Sequence, residues 1–193
     1  MHIEQHPLAP FLPPNAKLLL LGSFPPPKHR WAMDFYYPNF NNDMWRIFGI
    51  VFFQNKDHFI DIKNKTFKLE LIIDFFNTKG IAIYDSATQV VRQTGNASDK
   101  FLQIIQASNI QQLLEQLPQC EFIVTTGEKA TEILLTQANM TMSAPKMMHS
   151  CSLSFAHRKV ELYRLPSSSR AYPLALEKKA ALYRQFFQAI KLL

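Results

Sequence analysis

Short, unbroken apolar runs along this chain alternate with longer stretches in which apolar residues recur at helical spacing. The run KLLLL over 17–21 closes on Gly22 and the run IAIYD follows Gly80, so both read as strands buried on both faces. A third strand of this kind is expected in CEFIVTT before Gly127, and two more in KMMHSCSLS (146–154) and KVELYRL (159–165). The first strand has to leave the sheet at once, because the three prolines of GSFPPP (22–27) have no N–H groups to give to a ladder.

Between these runs the period changes. Met44, Trp45 and Phe48 share one face of a helix predicted over 41–48, with Asn or Asp in its first turn and Trp45 directed to the core. Apolar residues at 67, 69, 71, 72, 75 and 76 predict a helix over 66–76. Asn109 caps a further helix that Pro118 ends, and GEKATEILLTQ starts another directly after its glycine. The last, over 175–192, carries Tyr183, Phe187 and Ile190 on one stripe and Lys178, Lys179, Arg184 and Lys191 on an expected solvated face. VVRQTGNASD (90–99) reads as a polar segment with a turn at Gly95 and Asn96, and PSSSRAYP (166–173) as a loop.

Strands alternating with helices predict an α/β fold: one three-layer α/β/α domain over 1–193, with a central, mostly parallel four-stranded sheet. Ligands of such sheets bind beyond the carboxyl ends of the strands. That rule selects GSFPPP with the loop after it, the end of IAIYD, and LPSSSRAY (165–172).

Composition narrows the classes. Hydrophobic residues at 47% and charged residues at 19% are globular proportions, and no low-complexity tract interrupts them. Two cysteines, Cys120 and Cys151, are too few for a disulfide framework, an iron–sulfur cluster or a zinc ribbon. The six histidines show no metal-ligand spacing, so neither metal nor cofactor is expected. The N-terminal MHIEQHPLAPFLPP lacks a basic region followed by a long apolar run, and no apolar window is long enough to span a membrane. A cytoplasmic, monomeric protein is the expectation. A net charge of +6 favours a polyanionic partner, and His29 and Arg30 in the first loop are candidates to touch phosphate.

FYYPNFNNDMWRIFG (35–49) is too polar for core and too aromatic for an ordinary solvated loop. Taken with the strand-end segments, it resembles the uracil-DNA glycosylase superfamily, most closely its hypoxanthine-DNA glycosylase-like branch, over about residues 17–173. LLLLGSFPPP resembles the first strand and active-site loop, YYPNFNNDMWRI the aromatic and asparagine segment, and GIAIYDS the base-reading strand. CEFIVTTGEKA resembles the later strand-to-helix turn, and LPSSSRAY the serine-rich loop that enters DNA.

The resemblance implies a monofunctional DNA glycosylase acting on a deaminated base, uracil or hypoxanthine, flipped out of DNA into a pocket. Aligned on Trp45, Tyr37 takes the place of the family's stacking aromatic and Asn42 that of the catalytic asparagine. Backbone N–H groups around Ser23 and Phe24 would bind a base carbonyl as charge grows on it, and Asp85 would read the base edge as an acceptor unless burial keeps it protonated. Ser167, Ser168 and Ser169 would approach phosphate, Arg170 or Ser169 would be the tip entering the duplex, and Arg170 would fill or contact the gap left by the flipped base. Simpler roles stand beside these: Asn42 and Asp85 as caps, Tyr36 and Tyr37 as packing at a sheet edge, the serines as a polar turn, and Arg170 as a solvated charge. Where many members carry Asp or Asn in the first loop this chain has Phe24, and where they carry His or Asn at the head of the inserting loop it has Leu165. The rival is therefore a nucleic-acid-binding protein that keeps the fold with weak turnover or none. A free-nucleotide hydrolase or binder is disfavoured, because no glycine-rich phosphate fingerprint follows the first strand.

Overall fold

A computed structural model describes residues 2–93, 101–138, 144–155 and 157–193. In chain order the strands are β1 (Ile3–Gln5), β2 (Leu18–Gly22), β3 (Ile60–Asp61), β4 (Thr66–Phe67), β5 (Ile81–Asp85), β6 (Ala87–Arg92), β7 (Leu102–Ala107), β8 (Phe122–Thr126), β9 (Ser150–Phe155) and β10 (Arg158–Leu165). The helices are α1 (Met44–Phe53), α2 (Leu69–Lys79), α3 (Ile110–Glu115), α4 (Glu128–Gln137) and α5 (Leu176–Ala189).

The central sheet runs β5-β2-β8-β10-β9. Its first four strands are mutually parallel, and every residue of β2 and β5 is buried, as continuous apolar runs require. The expected four-stranded sheet is therefore corrected to five strands, because β9 adds to β10 antiparallel. Only two residues separate Phe155 from Arg158, and so short a connection returns the chain antiparallel. Successive strand residues face opposite sides, which assigns the helices to two layers. Tyr163 packs on Phe186 of α5, while Thr125, whose partner is the next residue Arg164, bonds Thr131 of α4 at 2.7 Å. Phe48 of α1 meets both Phe76 of α2 and Phe187 of α5, so an aromatic layer fills the α5 side.

Two smaller sheets were not legible in the sequence. β1-β6-β7 is antiparallel and half-exposed, and it takes in Val90, Val91 and Arg92 of the segment read as polar. The turn expected at Gly95 and Asn96 lies outside the described residues. Thr66 and Phe67, assigned to a helix by their spacing, pair instead with Asp61 and Ile60, so α2 starts at Leu69. α1 likewise starts at Met44 rather than 41, because Asn42 N–H bonds Asn39 O at 2.8 Å and holds that turn out of the helix.

On α5 one expectation is overturned. Lys179 is fully buried rather than solvated, four residues before Tyr183 and seven before Phe186, on the inward stripe of the helix. Arg158 shows how a long cation closes a helix end: its guanidinium donates to the carbonyls of Leu114, Leu117, Pro118 and Cys120 around the C-terminus of α3.

Candidate active site

Strand register fixes what stands at the carboxyl end of the sheet. Gly22 pairs with Asp85 and Thr126 with Leu165, while Leu21 and Thr125 pair one step earlier, so Asp85, Gly22, Thr126 and Leu165 form one row. Tyr37 reaches this row from the segment before α1, its hydroxyl 2.7 Å from Thr126 Oγ1. A Cβ on Gly22 would lie 2.3 Å from Asp85 Oδ1 and 3.2 Å from the Tyr37 hydroxyl. Glycine ends β2 because the carboxylate and the phenol occupy the space a side chain would need.

Tyr37 has φ of 50°, the left-handed region that a bulky residue enters at a cost of about 1–2 kcal/mol. Such strain persists where surrounding contacts over-determine it, and it concentrates at binding sites. Tyr36, beside it, points elsewhere: it is buried, its hydroxyl donates to Ala9 O at 2.8 Å, and its ring packs edge-on against Tyr84. Burial first, and then the Asp85 charge, pushes the Tyr36 and Tyr84 phenols above their usual range. Trp45 is fully buried among aromatic rings, as expected of a core residue.

Asp85 has a partner that the spacing of the histidines did not suggest. His6 Nε2 lies 2.9 Å from Asp85 Oδ2, with the imidazole only 2% exposed. The ring stands against Phe24, Tyr36 and Tyr84, and the His6 main chain is fixed by its N–H to Thr88 O at 2.8 Å. Phe24 itself is buried in a second apolar cluster with Ala87, Val90, Leu102 and Ile133. Its side chain anchors the first loop. The amide N–H groups of Ser23 and Phe24 donate no hydrogen bond among the described residues, at the point where the backbone leaves β2.

Asn42 and the serine loop are brought together by an ion-paired cluster. Asn42 Oδ1 accepts the Met44 N–H at 2.9 Å from the position before Asp43, the N-cap of α1, so it closes the turn that leads into the helix. Among the described residues its amide NH2 donates no hydrogen bond. Buried Arg46 donates to the carbonyls of Phe40 and Asn42 and pins that turn; burial and the nearby Arg170 lower its pKa. Asp43, also buried, donates its N–H to Ser168 O at 3.0 Å. Its carboxylate accepts from Lys179 Nζ at 3.0 Å and from Arg170 Nε at 3.2 Å, and Lys179 also donates to Ser169 O at 2.7 Å. Ser168 is turned inward, while the Ser167 and Ser169 hydroxyls accept the N–H groups of Ser169 and Ala171. Arg170 keeps 53% of its side chain exposed, and Leu165, at the head of the loop, is fully buried.

Two clefts lie away from these groups. One, of about 700 Å³, is lined by His2, Glu4, Pro27, His29, Arg92 and their neighbours, where Arg92 pairs with Glu4. The other, of about 520 Å³, lies at the amino end of the strands near Lys17 and Phe122. The strand-end row remains the better candidate, since polar groups from three separate elements converge there and it includes Tyr37, one of five non-glycine residues at positive φ among the described residues. Among the described residues no three His, Cys, Asp or Glu side chains converge as metal ligands, and no helix is long and apolar enough to cross a membrane. His6, Thr126 and Asp43 are the site residues that sequence reasoning missed. Only Thr126, at a strand's carboxyl end, carried a signal that would have selected it.

The same fold occurs in a solution NMR structure from Methanosarcina acetivorans, described as that of a putative uracil DNA glycosylase. The two share 21% identity, over 95% of this chain and 98% of that one, with a TM-score of 0.59. No family model and no curated protein matches the sequence.

Proposed function

We propose that this chain is a monofunctional DNA glycosylase that hydrolyses the N-glycosidic bond of a deaminated base, uracil or hypoxanthine, in DNA. One observation carries the proposal: on a fold shared with a glycosylase-like structure, Asp85, Tyr37 and the open amides after Gly22 converge at the carboxyl end of the sheet. A flipped base stacked on Tyr37 would offer its edge to Asp85 and a carbonyl to the Ser23 and Phe24 amides. As the C1′–N bond breaks, its electron pair passes to the base and the sugar takes on oxocarbenium character. The two amides then stabilise the leaving anion without reorganising.

Water completes the reaction by adding to C1′ from the opposite face and losing a proton to solvent, which in turn protonates the departed base anion. Asn42 is suited to hold that water, because its bond to the Met44 N–H uses one lone pair of Oδ1 and leaves the NH2 and a second lone pair. The Asp43–Lys179 pair ties Asn42 to the serine loop, so the water-holding group and the DNA-contacting loop move as one piece. Ser167, Ser168 and Ser169 meet the phosphates and Arg170 enters the gap in the duplex. No lysine is offered as a nucleophile, so no strand cleavage follows. The protein acts as a monomer without a cofactor, in a reducing compartment consistent with its free cysteines.

A single-turnover assay decides. Protein in excess over labelled duplexes carrying uracil or hypoxanthine, followed by hot alkali, is expected to cut at one of them, with loss of cutting in Asn42→Ala. Buried Leu165 and Phe24, which leave two positions apolar, favour the second reading of DNA binding without turnover. That reading gains the field if both duplexes are bound and no base is released.

A further inference from the structure

We propose that His6 is a positioning residue: by occupying Oδ2 of Asp85 it leaves Oδ1 as a fixed acceptor that reads a ring N–H on the flipped base. The inference rests on the base-excising function proposed above and adds a recognition rule to it.

The rule follows from where protons can sit. His6 Nδ1 faces both polar groups of one main-chain residue, 2.9 Å from Leu8 O and 3.2 Å from Leu8 N, and it can serve only one at a time. If Nδ1 is bare, it accepts the Leu8 N–H, and the ring proton is on Nε2 and points at Oδ2. If Nδ1 is protonated, it donates to Leu8 O, and the single proton between Nε2 and Oδ2 belongs either to an imidazolium or to the carboxyl group. In all three arrangements the shared proton lies on the Oδ2 side, and Oδ1 carries none. Among the described residues Oδ1 accepts no hydrogen bond, and it stands over Gly22 beside the Tyr37 hydroxyl. The imidazole cannot swing away, being enclosed by Phe24, Tyr36 and Tyr84.

An acceptor fixed in this way separates deaminated bases from their parents by a single atom. Uracil N3 and hypoxanthine N1 carry a hydrogen; the same ring atoms of cytosine and adenine present a lone pair. Opposite Oδ1 the first pair gains a charge-assisted hydrogen bond, and the second sets two acceptors face to face in a desolvated site. The rule also accounts for an aspartate at the end of β5: with Oδ2 committed to His6, the side chain needs only one acceptor toward the base.

The test reads recognition without turnover. Duplexes carrying the 2′-fluoroarabino nucleotide of uracil or of 3-methyluracil resist glycosidic cleavage, and their affinities for the full chain are compared. Wild type is expected to prefer the N–H base by about tenfold or more. His6→Phe, which keeps a ring and loses the donor, should reduce that preference below about threefold, and His6→Gln, whose amide can still donate to Oδ2, should restore it. If His6→Phe does not fold, the imidazole nitrogen resonances of the wild-type protein decide, since His6 must respond to the uracil duplex and not to the methylated one. Equal wild-type affinities, or a preference that survives His6→Phe, overturn the inference. A wild type that prefers the N–H base yet releases none from an ordinary uracil duplex sinks the proposed turnover and leaves the role of His6 standing.

Discussion

An alanine at position 22 would set its Cβ 2.3 Å from Asp85 Oδ1 and 3.2 Å from the Tyr37 hydroxyl. The carboxylate has to give way, and its contact with His6 gives way with it. Gly22→Ala is therefore expected to cost about 1–3 kcal/mol of stability by overpacking and, under the proposed function, to lower single-turnover cleavage at least tenfold. A thermal melt run beside the cleavage assay separates the two, and wild-type cleavage in the variant would remove Asp85 from the site. Asn42 allows a similar separation. Asn42→Ala loses the bond to the Met44 N–H and should cost about 1 kcal/mol, while Asn42→Ser keeps an acceptor oxygen there and should stay within about 0.5 kcal/mol of wild type. Both should lose roughly 10²-fold in rate if the amide holds the water. A serine variant with full activity would leave Asn42 an acceptor for the Met44 N–H and nothing more.

At the scale of elements, three pieces of chain meet at the Asp43–Lys179 pair: the start of α1 through Asp43, α5 through Lys179, and the serine loop through Arg170 on Asp43 and Ser169 O on Lys179. Removing one partner of a buried ion pair strands the other charge. Lys179→Met is therefore expected to cost about 3–5 kcal/mol, read as a shift in the urea midpoint. Asp43→Asn with Lys179→Met should be less destabilised than the sum of the two single changes, because neither charge is then left alone. Additive losses would mean that the two residues do not act as a pair. Arg170 differs from Lys179 in being half-exposed, so under the proposed function it is the partner that would leave Asp43 for DNA while the buried pair holds the loop.

The whole molecule also has a predictable alkaline limit. Burial pushes the Cys120 thiol up to about 11, and the same cause raises the buried Tyr36 and Tyr183 phenols. In the unfolded chain these groups return to about 9 and about 10, so above pH 9 the unfolded state has lost protons that the folded state keeps. Stability from these groups is then intact below about pH 9 and falls above it, by about 1.4 kcal/mol per pH unit for each proton of difference. Urea midpoints between pH 7.5 and pH 10.5 (about 1.5 units either side of the thiol's ordinary value) should decline from pH 9, less steeply in Tyr183→Phe; a flat profile contradicts the burial. What the sequence by itself determined is the order of elements around the parallel core. Continuous runs such as IAIYD and the helical spacing after Gly127 are local signals, and local burial decides them. The half-exposed strands β6 and β7 lack such a run, and their pairing appears only in space. The strand-end rule also pointed to Asp85 and to the loop after Gly22. It could not supply His6 for Asp85, Lys179 for Asp43 or Thr126 for Tyr37, partners 79, 136 and 89 residues apart. Those meetings were decided by tertiary structure alone, because a buried polar group takes whichever partner the register and packing of distant elements bring within reach.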